Sequence, residues 1–174
     1  HHLYISSSIG VSVIDTSIGN AGSYIKQADI ALYEAKAKGR NDVYLFNEEM
    51  ASRVENHLEI ERLLHFALEN DEITLNYQPQ LDGDSKVIGA EALVRWHNAK
   101  LGTISPEEFI PIAEQTGIII ELGNYIIESA FIMLRECSSK GVNLQQFSIN
   151  IGKRQFFHHN FIADVNRLLT QHLD

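Results

Sequence analysis

The chain has 174 residues, of which 44% are hydrophobic and 21% are charged, a balance typical of globular domains in water. Its formal net charge of -9 disfavours binding to a nucleic acid polymer, because the phosphate backbone carries the same sign of charge. No apolar run approaches the ~18 residues that a bilayer crossing needs. We therefore expect no membrane segment in this chain and a cytoplasmic location, although a longer parent protein could be anchored upstream.

The first third of the chain predicts alternating strands and helices. A β-branched run, an apolar helical stripe and a second short apolar run predict a strand, a helix and a strand over residues 3–14, 24–38 and 43–46. Asn47 then provides an N-cap for a helix that is predicted to continue to about Asn70. Because this helix is long and heavily charged, we interpret it as a linker.

After Asp71 the pattern changes to strand, strand, helices, strand, helix. The two strands, joined by an Asp82-Gly83 turn signal, are predicted over residues 73–81 and 87–96. The helices are predicted over residues 106–117, 118–139 and 161–173, with a third strand over residues 147–151. Ser105 and Pro106 mark the start of the first of these helices. This order favours an α/β sheet or barrel.

Each of these three strands carries polar side chains on one face. The alternating residues are Asn76, Gln78 and Gln80, then Glu91, Leu93 and Arg95, then Ser148, Asn150 and Gly152. Polar groups that point into a barrel are costly unless they are paired or bind a ligand, whereas a solvated face accepts them freely. Periodicity alone supports both arrangements equally.

Glu91 and Arg95 favour a ligand site. Four residues apart on a strand, they are separated by about 13 Å, too far for an ion pair. A carboxylate at one end suits a cation, and a guanidinium at the other suits a phosphate of the same extended ligand. Two surface charges on a solvated face remain the alternative explanation.

The same region resembles the EAL family of signalling domains. Its signature is Glu91-Ala92-Leu93-Val94-Arg95-Trp96, preceded by Tyr77-Gln78-Pro79 and followed by matching runs over residues 105–114 and 147–156. Four ordered motifs are far more specific than the three letters alone. The resemblance covers roughly residues 53–174.

The first 46 residues resemble the end of a GGDEF domain. The resemblance lies in Ser8-Ile9-Gly10-Val11-Ser12, in residues 28–33 and in residues 35–41. The GGDEF motif itself is absent from the sequence, so we expect no diguanylate cyclase activity here. The fold implied is α/β: a partial (β/α)8 TIM-like barrel, preceded by the α/β tail of a GGDEF domain and a linker helix. The domains expected are a GGDEF fragment, a linker helix and the first half of an EAL domain, over residues 1–46, 47–70 and 71–174.

The resemblance implies cyclic-di-GMP as the ligand and Mg²⁺ or Mn²⁺ as the cofactor. In the EAL family such metals activate water to cleave the phosphodiester and give linear pGpG. By this resemblance Glu91 and Asn150 would be metal ligands, while Gln78, Leu93 and Arg95 would contact the dinucleotide. Hard oxygen ligands are those that Mg²⁺ prefers.

The family takes its other metal carboxylates, including an Asp-Asp pair, and its catalytic lysine from later strands. No complete catalytic set is therefore expected in this chain. We expect the parent protein to be a cyclic-di-GMP phosphodiesterase and this chain to be a truncated piece that is inactive alone. The alternatives are a non-catalytic cyclic-di-GMP receptor or signal-transduction module, and a purely structural fragment. Homodimerisation through the linker helix is a further hypothesis.

Overall fold

The computed structural model describes residues 5–14 and 20–173, and the chain forms two compact units, His1–Glu59 and Ile60–Asp174. The first unit contains a short parallel strand pair with a helical crossover, in the order β1 (Ile9–Val11), α1 (Ala21–Ala37) and β2 (Val43–Leu45). Asn20 caps α1, since its Oδ1 accepts a hydrogen bond from the Ser23 N–H at 3.0 Å.

The first strand is shorter than the predicted span of residues 3–14. Within that span, residues 5–8 and 12–14 are not strand, and residues 3 and 4 lie outside the described part of the chain. The pairing partner sets this limit, because β2 has only three residues before the chain turns toward Asn47.

A buried carboxylate joins α1 to the next helix, α2 (Glu48–Leu64). Glu34 is only 6% exposed, and it accepts a hydrogen bond from Nε of Arg53 at 2.8 Å. This hydrogen bond raises the pKa of the Arg53 guanidinium, which therefore stays charged beside the carboxylate. The pair fixes the first part of α2 against α1 within the first unit.

The start of α2 agrees with the sequence, but its end does not. Oδ1 of Asn47 accepts a hydrogen bond from the Met50 N–H at 3.0 Å, as an N-cap does. The helix ends at Leu64 rather than near Asn70, because the Phe66 and Ala67 N–H groups donate to carbonyls three residues back. These bonds wind the chain into tighter turns. The predicted domain bounds of 1–46, 47–70 and 71–174 stay a prediction.

The second unit is organised around a mixed sheet. In its described part the sheet has four strands, β3 (Ile73–Leu81), β4 (Val87–Asn98), β5 (Gly102–Ile104) and β6 (Gln146–Ile149). β4 lies antiparallel to β3 and β5 and parallel to β6. The reversal between β3 and β4 follows from a tight loop, in which Oδ1 of Asp82 accepts hydrogen bonds from the Asp84 and Lys86 N–H groups, both at 2.9 Å.

Helices of the second unit connect the strands and cover the sheet. They are α3 (Pro106–Thr116), α4 (Ile119–Ser139), α5 (Lys153–Phe156) and α6 (Phe161–Leu173). Ser105 caps α3 as predicted, with its Oγ accepting from the Glu107 N–H, and Gly117 ends the helix at a left-handed φ of 93°. Among residues 5–14 and 20–173, no helix combines the length and apolar character that a membrane crossing requires.

The core of the second unit lies between one face of the sheet and the helices α3 and α4. Trp96 and Phe109, both fully buried, meet edge to face with ring centroids 5.4 Å apart. Around them pack Ile60, Leu64, Ile73, Ile104, Ile112, Ile119, Leu122 and Ile126. One face of the sheet is thus committed to packing, and the other is left for polar side chains.

Glu72 ties the start of β3 to the end of β4. Its carboxylate accepts a hydrogen bond from Nε1 of Trp96 at 2.9 Å and two from Nδ2 of the buried Asn98, at 2.9 and 3.0 Å. The backbone O of Glu72 also accepts from the His97 N–H at 3.0 Å. Buried donors on β4 therefore find their acceptors on one residue.

Candidate functional site

Strand register places the predicted polar residues on a single face of the sheet. Gln78 lies directly opposite Glu91 in the antiparallel pair, and Thr74 lies opposite Arg95. Because side chains alternate along a strand, Gln78, Glu91, Leu93 and Arg95 all point to the face opposite the core. The face is built by the same period-2 pattern that buries Trp96 on the other side.

Asn150 joins this face from the third strand. β6 runs parallel to β4 with Ser148 opposite Glu91, and Asn150 follows the last residue of β6. Its Nδ2 donates a hydrogen bond to Oε1 of Glu91 at 2.8 Å. The two residues that the resemblance names as metal ligands are therefore in direct contact.

The amide group of Asn150 has its carbonyl oxygen still available for a cation. Nδ2 is the atom that contacts Glu91, so Oδ1 of Asn150 remains as a hard oxygen ligand in addition to the Glu91 carboxylate. Among the described residues, however, no group of three or more His, Cys, Asp or Glu side chains is placed to hold a metal ion. The donor set fits Mg²⁺ or Mn²⁺ in type but is incomplete in number.

Arg95 lies further along the same face. Its Nη1 donates to the backbone O of Val94 at 2.8 Å, and the side chain is half-buried. That contact uses one of its five N–H donors, so most of the guanidinium fork stays available for an anion.

A cleft of about 280 Å³ lies between the carboxyl-terminal half of β4, the residues that follow β6, and the helices α3 and α4. Leu93, Arg95 and Asn150 line it, whereas Gln78 and Glu91 lie outside its lining. Its wall is otherwise largely apolar, with contributions from Pro106, Ile110, Ile119 and Ile126. The predicted residues thus lie on one face of the sheet, and Leu93, Arg95 and Asn150 also border the cleft.

Two further polar residues, Gln80 and Gln155, lie near the predicted site residues, and only the first could be placed from the sequence. Gln80 accepts from Nε2 of Gln146 at 3.0 Å and donates to Oγ of Ser148 at 3.1 Å, and its place on the polar face follows from strand periodicity. Gln155, a buried residue of the cleft wall, was not foreseen as part of the site. It lies on the one-turn helix α5, which is too short to give a periodic signal.

Tyr77 belongs to the opposite face of β3. It pairs with Ala92, and its ring lies 6.0 Å from that of Phe147, centroid to centroid. Burial raises the pKa of the Tyr77 hydroxyl, with further contributions from Cys137 and Glu136. The hydroxyl therefore stays neutral, and the residue packs rather than takes part in the polar face.

Comparisons with known proteins identify the two domain families that the chain matches. Residues 61–174 match the EAL domain family, and residues 1–42 match the family described as diguanylate cyclase, GGDEF domain. The chain is 33% identical over 169 residues to the cyclic di-GMP phosphodiesterase PdeR of Escherichia coli, covering 97% of this chain. It is 32% identical over 173 residues to the bifunctional diguanylate cyclase/cyclic di-GMP phosphodiesterase MucR of Pseudomonas aeruginosa, covering 99%. In each case the chain spans only 25% of the relative.

The solved structures to which the chain is similar are also EAL proteins. The PaMucR phosphodiesterase in complex with c-di-GMP is 32% identical with a TM-score of 0.63, over 66% of this chain and 47% of that one. The EAL enzyme Bd1971, in its form bound to cAMP and cyclic-di-GMP, is 26% identical with a TM-score of 0.62, over 90% of this chain and 42% of that one. The predicted α/β fold is confirmed as part of a TIM-type barrel. Through residues 61–174, about two thirds of its length, the chain belongs to the EAL domain family, and its first 42 residues match the GGDEF domain.

Proposed function

We propose that this chain supplies part of the ligand site of a metal-dependent phosphodiesterase that hydrolyses cyclic-di-GMP to linear pGpG. The observation that carries the proposal is the contact between Asn150 and Glu91, on the face that also holds Gln78 and Arg95. The names of the relatives PdeR and MucR and of the MucR complex support the choice of ligand. A cytoplasmic location belongs to the same proposal.

The residues have separate roles in this proposal. Glu91 and Asn150 would hold Mg²⁺ or Mn²⁺, and Arg95 would bind a phosphate group of the dinucleotide through its guanidinium fork. Gln78 and Leu93 would contact the rest of the ligand. A bound divalent ion would supply a water of lowered pKa and neutralise charge on the phosphodiester.

Binding without hydrolysis is the second candidate function. It requires only the ligand contacts proposed for Gln78, Leu93 and Arg95, and the described residues hold no group of three or more His, Cys, Asp or Glu side chains placed for a metal ion. Such a chain would act as a cyclic-di-GMP receptor or signal-transduction module.

Isothermal titration of cyclic-di-GMP into the chain, with and without Mn²⁺, tests the shared part of both functions. We expect binding by the unaltered chain and at least about tenfold weaker binding by Arg95→Ala, because a charge-assisted phosphate contact is lost. Arg167→Ala is the matched control, since Arg167 is exposed on α6 and its ion pair is local, with Asp164 at 3.9 Å. No binding at millimolar ligand, or equal losses in both variants, would contradict the proposal.

A further inference from the structure

In the segment that follows β6, the side chain of Gln155 is buried without a hydrogen bond from its Nε2. Gln155, on α5, is 2% exposed, and its side chain lies in the wall of the cleft together with Asn150. Its Nε2 is shielded from solvent and has no hydrogen-bond partner among the described residues. A buried donor without a partner is costly, so hydrogen bonding from Nε2 does not explain where this amide lies.

Close packing against α4 explains the position of the Gln155 amide. Gly123, buried in α4, faces the amide so closely that a Cβ at this position would overlap Cδ, Nε2 and Oε1 of Gln155. The flat amide therefore rests on bare helix backbone. Any residue that carries a Cβ at position 123 would displace the Gln155 amide from the backbone of α4.

A second close approach is made by Gly152, which lies between Asn150 and Gln155 in the chain. A Cβ at Gly152 would lie 2.9 Å from Oε1 of Glu114 on α3 and 3.2 Å from Cγ1 of Ile119 on α4. The chain is thus pressed against both helices at Gly152 and anchored again at Gln155. Asn150, only two residues before Gly152, extends from this fixed segment to reach Glu91 at 2.8 Å.

We propose that Gln155 and Gly123 are positioning residues, which hold the segment of residues 150–155 against α4 so that the Asn150 side chain stays beside Glu91. Their effect on metal and ligand binding rests on the proposed function. The positioning itself is a property of the free chain and is measurable without any ligand.

The first test is the NMR signal of the Asn150 side-chain NH₂ group in the ligand-free ¹⁵N-labelled chain, assigned by its loss in Asn150→Asp. We expect this signal to shift or broaden in Gly123→Ala and in Gln155→Ala, because each removes the contact. It should be retained in Gln155→Met, since methionine is unbranched, of similar length and able to fill the same space without a donor.

Leu168→Ala is the control for a general loss of packing. Leu168 is buried on α6 and does not border the cleft, so this variant should lower thermal stability and leave the Asn150 signal unchanged. If Gly123→Ala does not fold, the comparison of Gln155→Ala with Gln155→Met carries the test. An Asn150 signal that is unmoved in Gln155→Ala, or moved equally in Gln155→Met or Leu168→Ala, overturns the proposal.

The second test is cyclic-di-GMP affinity in the presence of Mn²⁺. We expect Gln155→Ala to weaken it about 10–100-fold, as loss of an orienting residue does at metal sites, and Gln155→Met to preserve it. If the unaltered chain binds no cyclic-di-GMP, the proposed function fails, while the NMR comparison still decides whether Gln155 positions Asn150. Undiminished affinity in Gln155→Ala counts against the positioning.

Discussion

At the scale of single residues, the contact between Asn150 and Glu91 has little to do with stability. Both partners are accessible, and an exposed hydrogen bond to a carboxylate contributes little to folding. The contact does fix which atoms of the two side chains face outward. A role in binding therefore accounts for it better than a role in folding.

We expect Asn150→Ala to weaken Mn²⁺-dependent binding of cyclic-di-GMP by about 10–100-fold, because the amide both orients Glu91 and offers an oxygen. The free energy of unfolding should change by only about 0.5 kcal/mol. Titration calorimetry and urea denaturation measure the two quantities. A loss of stability without a loss of affinity would show that the contact is structural.

The sequence predicts some of these residues better than others. Glu91 and Arg95 could be assigned to one face from alternation alone, because strand periodicity is local. The burial of Gln155 could not be predicted, since it depends on Gly123, which lies far from it in the chain and on a different helix. Contacts between distant segments leave no periodic signal.

At the scale of elements, one side chain, Glu72, links the start of β3 to the end of β4. Glu72 accepts hydrogen bonds from Trp96 and Asn98, so its removal leaves two donors on β4 without partners. We expect Glu72→Ala to lower the free energy of unfolding by about 2–3 kcal/mol, since unpaired buried donors each cost about 1–3 kcal/mol. Urea denaturation followed by Trp96 fluorescence measures the loss.

Glu69→Ala is the control for the Glu72 variant. Glu69 carries the same charge three residues earlier and is exposed. A substitution of this kind should change stability by no more than about 0.5 kcal/mol. Equal losses in the two variants would mean that charge, rather than the hydrogen bonds to β4, explains the effect.

Two glycines with the same type of backbone conformation should respond differently to alanine. Gly117 and Gly141 have φ of 93° and 75°, so alanine at either position costs about 1 kcal/mol. A Cβ at Gly117 would also lie 3.1 Å from Nη2 of Arg154, whereas a Cβ at Gly141 would meet nothing within 4 Å. We expect Gly117→Ala to be the more destabilising in thermal denaturation, and equal effects would exclude a contribution from Arg154.

Most elements of the second unit follow from local signals, and those that do not are short. The Asp82 turn, the Ser105 cap and the Gly117 end all appear where the sequence predicts them. Strand β5 was not predicted, because it has three residues and exists by pairing with the end of β4. Helix α5, a single turn, was missed for the same reason of length.

At the scale of the whole molecule, the described residues place the proposed ligand contacts on one face of the sheet but hold no group of three or more His, Cys, Asp or Glu side chains that could bind a metal ion. We expect the 174-residue chain to produce no measurable pGpG from cyclic-di-GMP in Mg²⁺ or Mn²⁺, as followed by chromatography. Glu91 and Asn150 would supply at most two of the ion's roughly six ligands, and the further carboxylates and the catalytic lysine that the EAL resemblance implies come from later strands. Production of pGpG that is abolished by Glu91→Gln would overturn this expectation.

The reversed direction of β3 has a practical consequence. Because β3 runs against β4, the loop at Asp82–Lys86 lies at the amino end of β4, while Arg95 and Asn150 lie toward the carboxyl ends of β4 and β6. Asp84 in that loop is exposed. Cys137 is a partly exposed free thiol, so a dye would be attached through Asp84→Cys in a Cys137→Ser background. Such a dye, or a peptide tag inserted at position 84, would report on or immobilise the protein from the rim remote from the cleft.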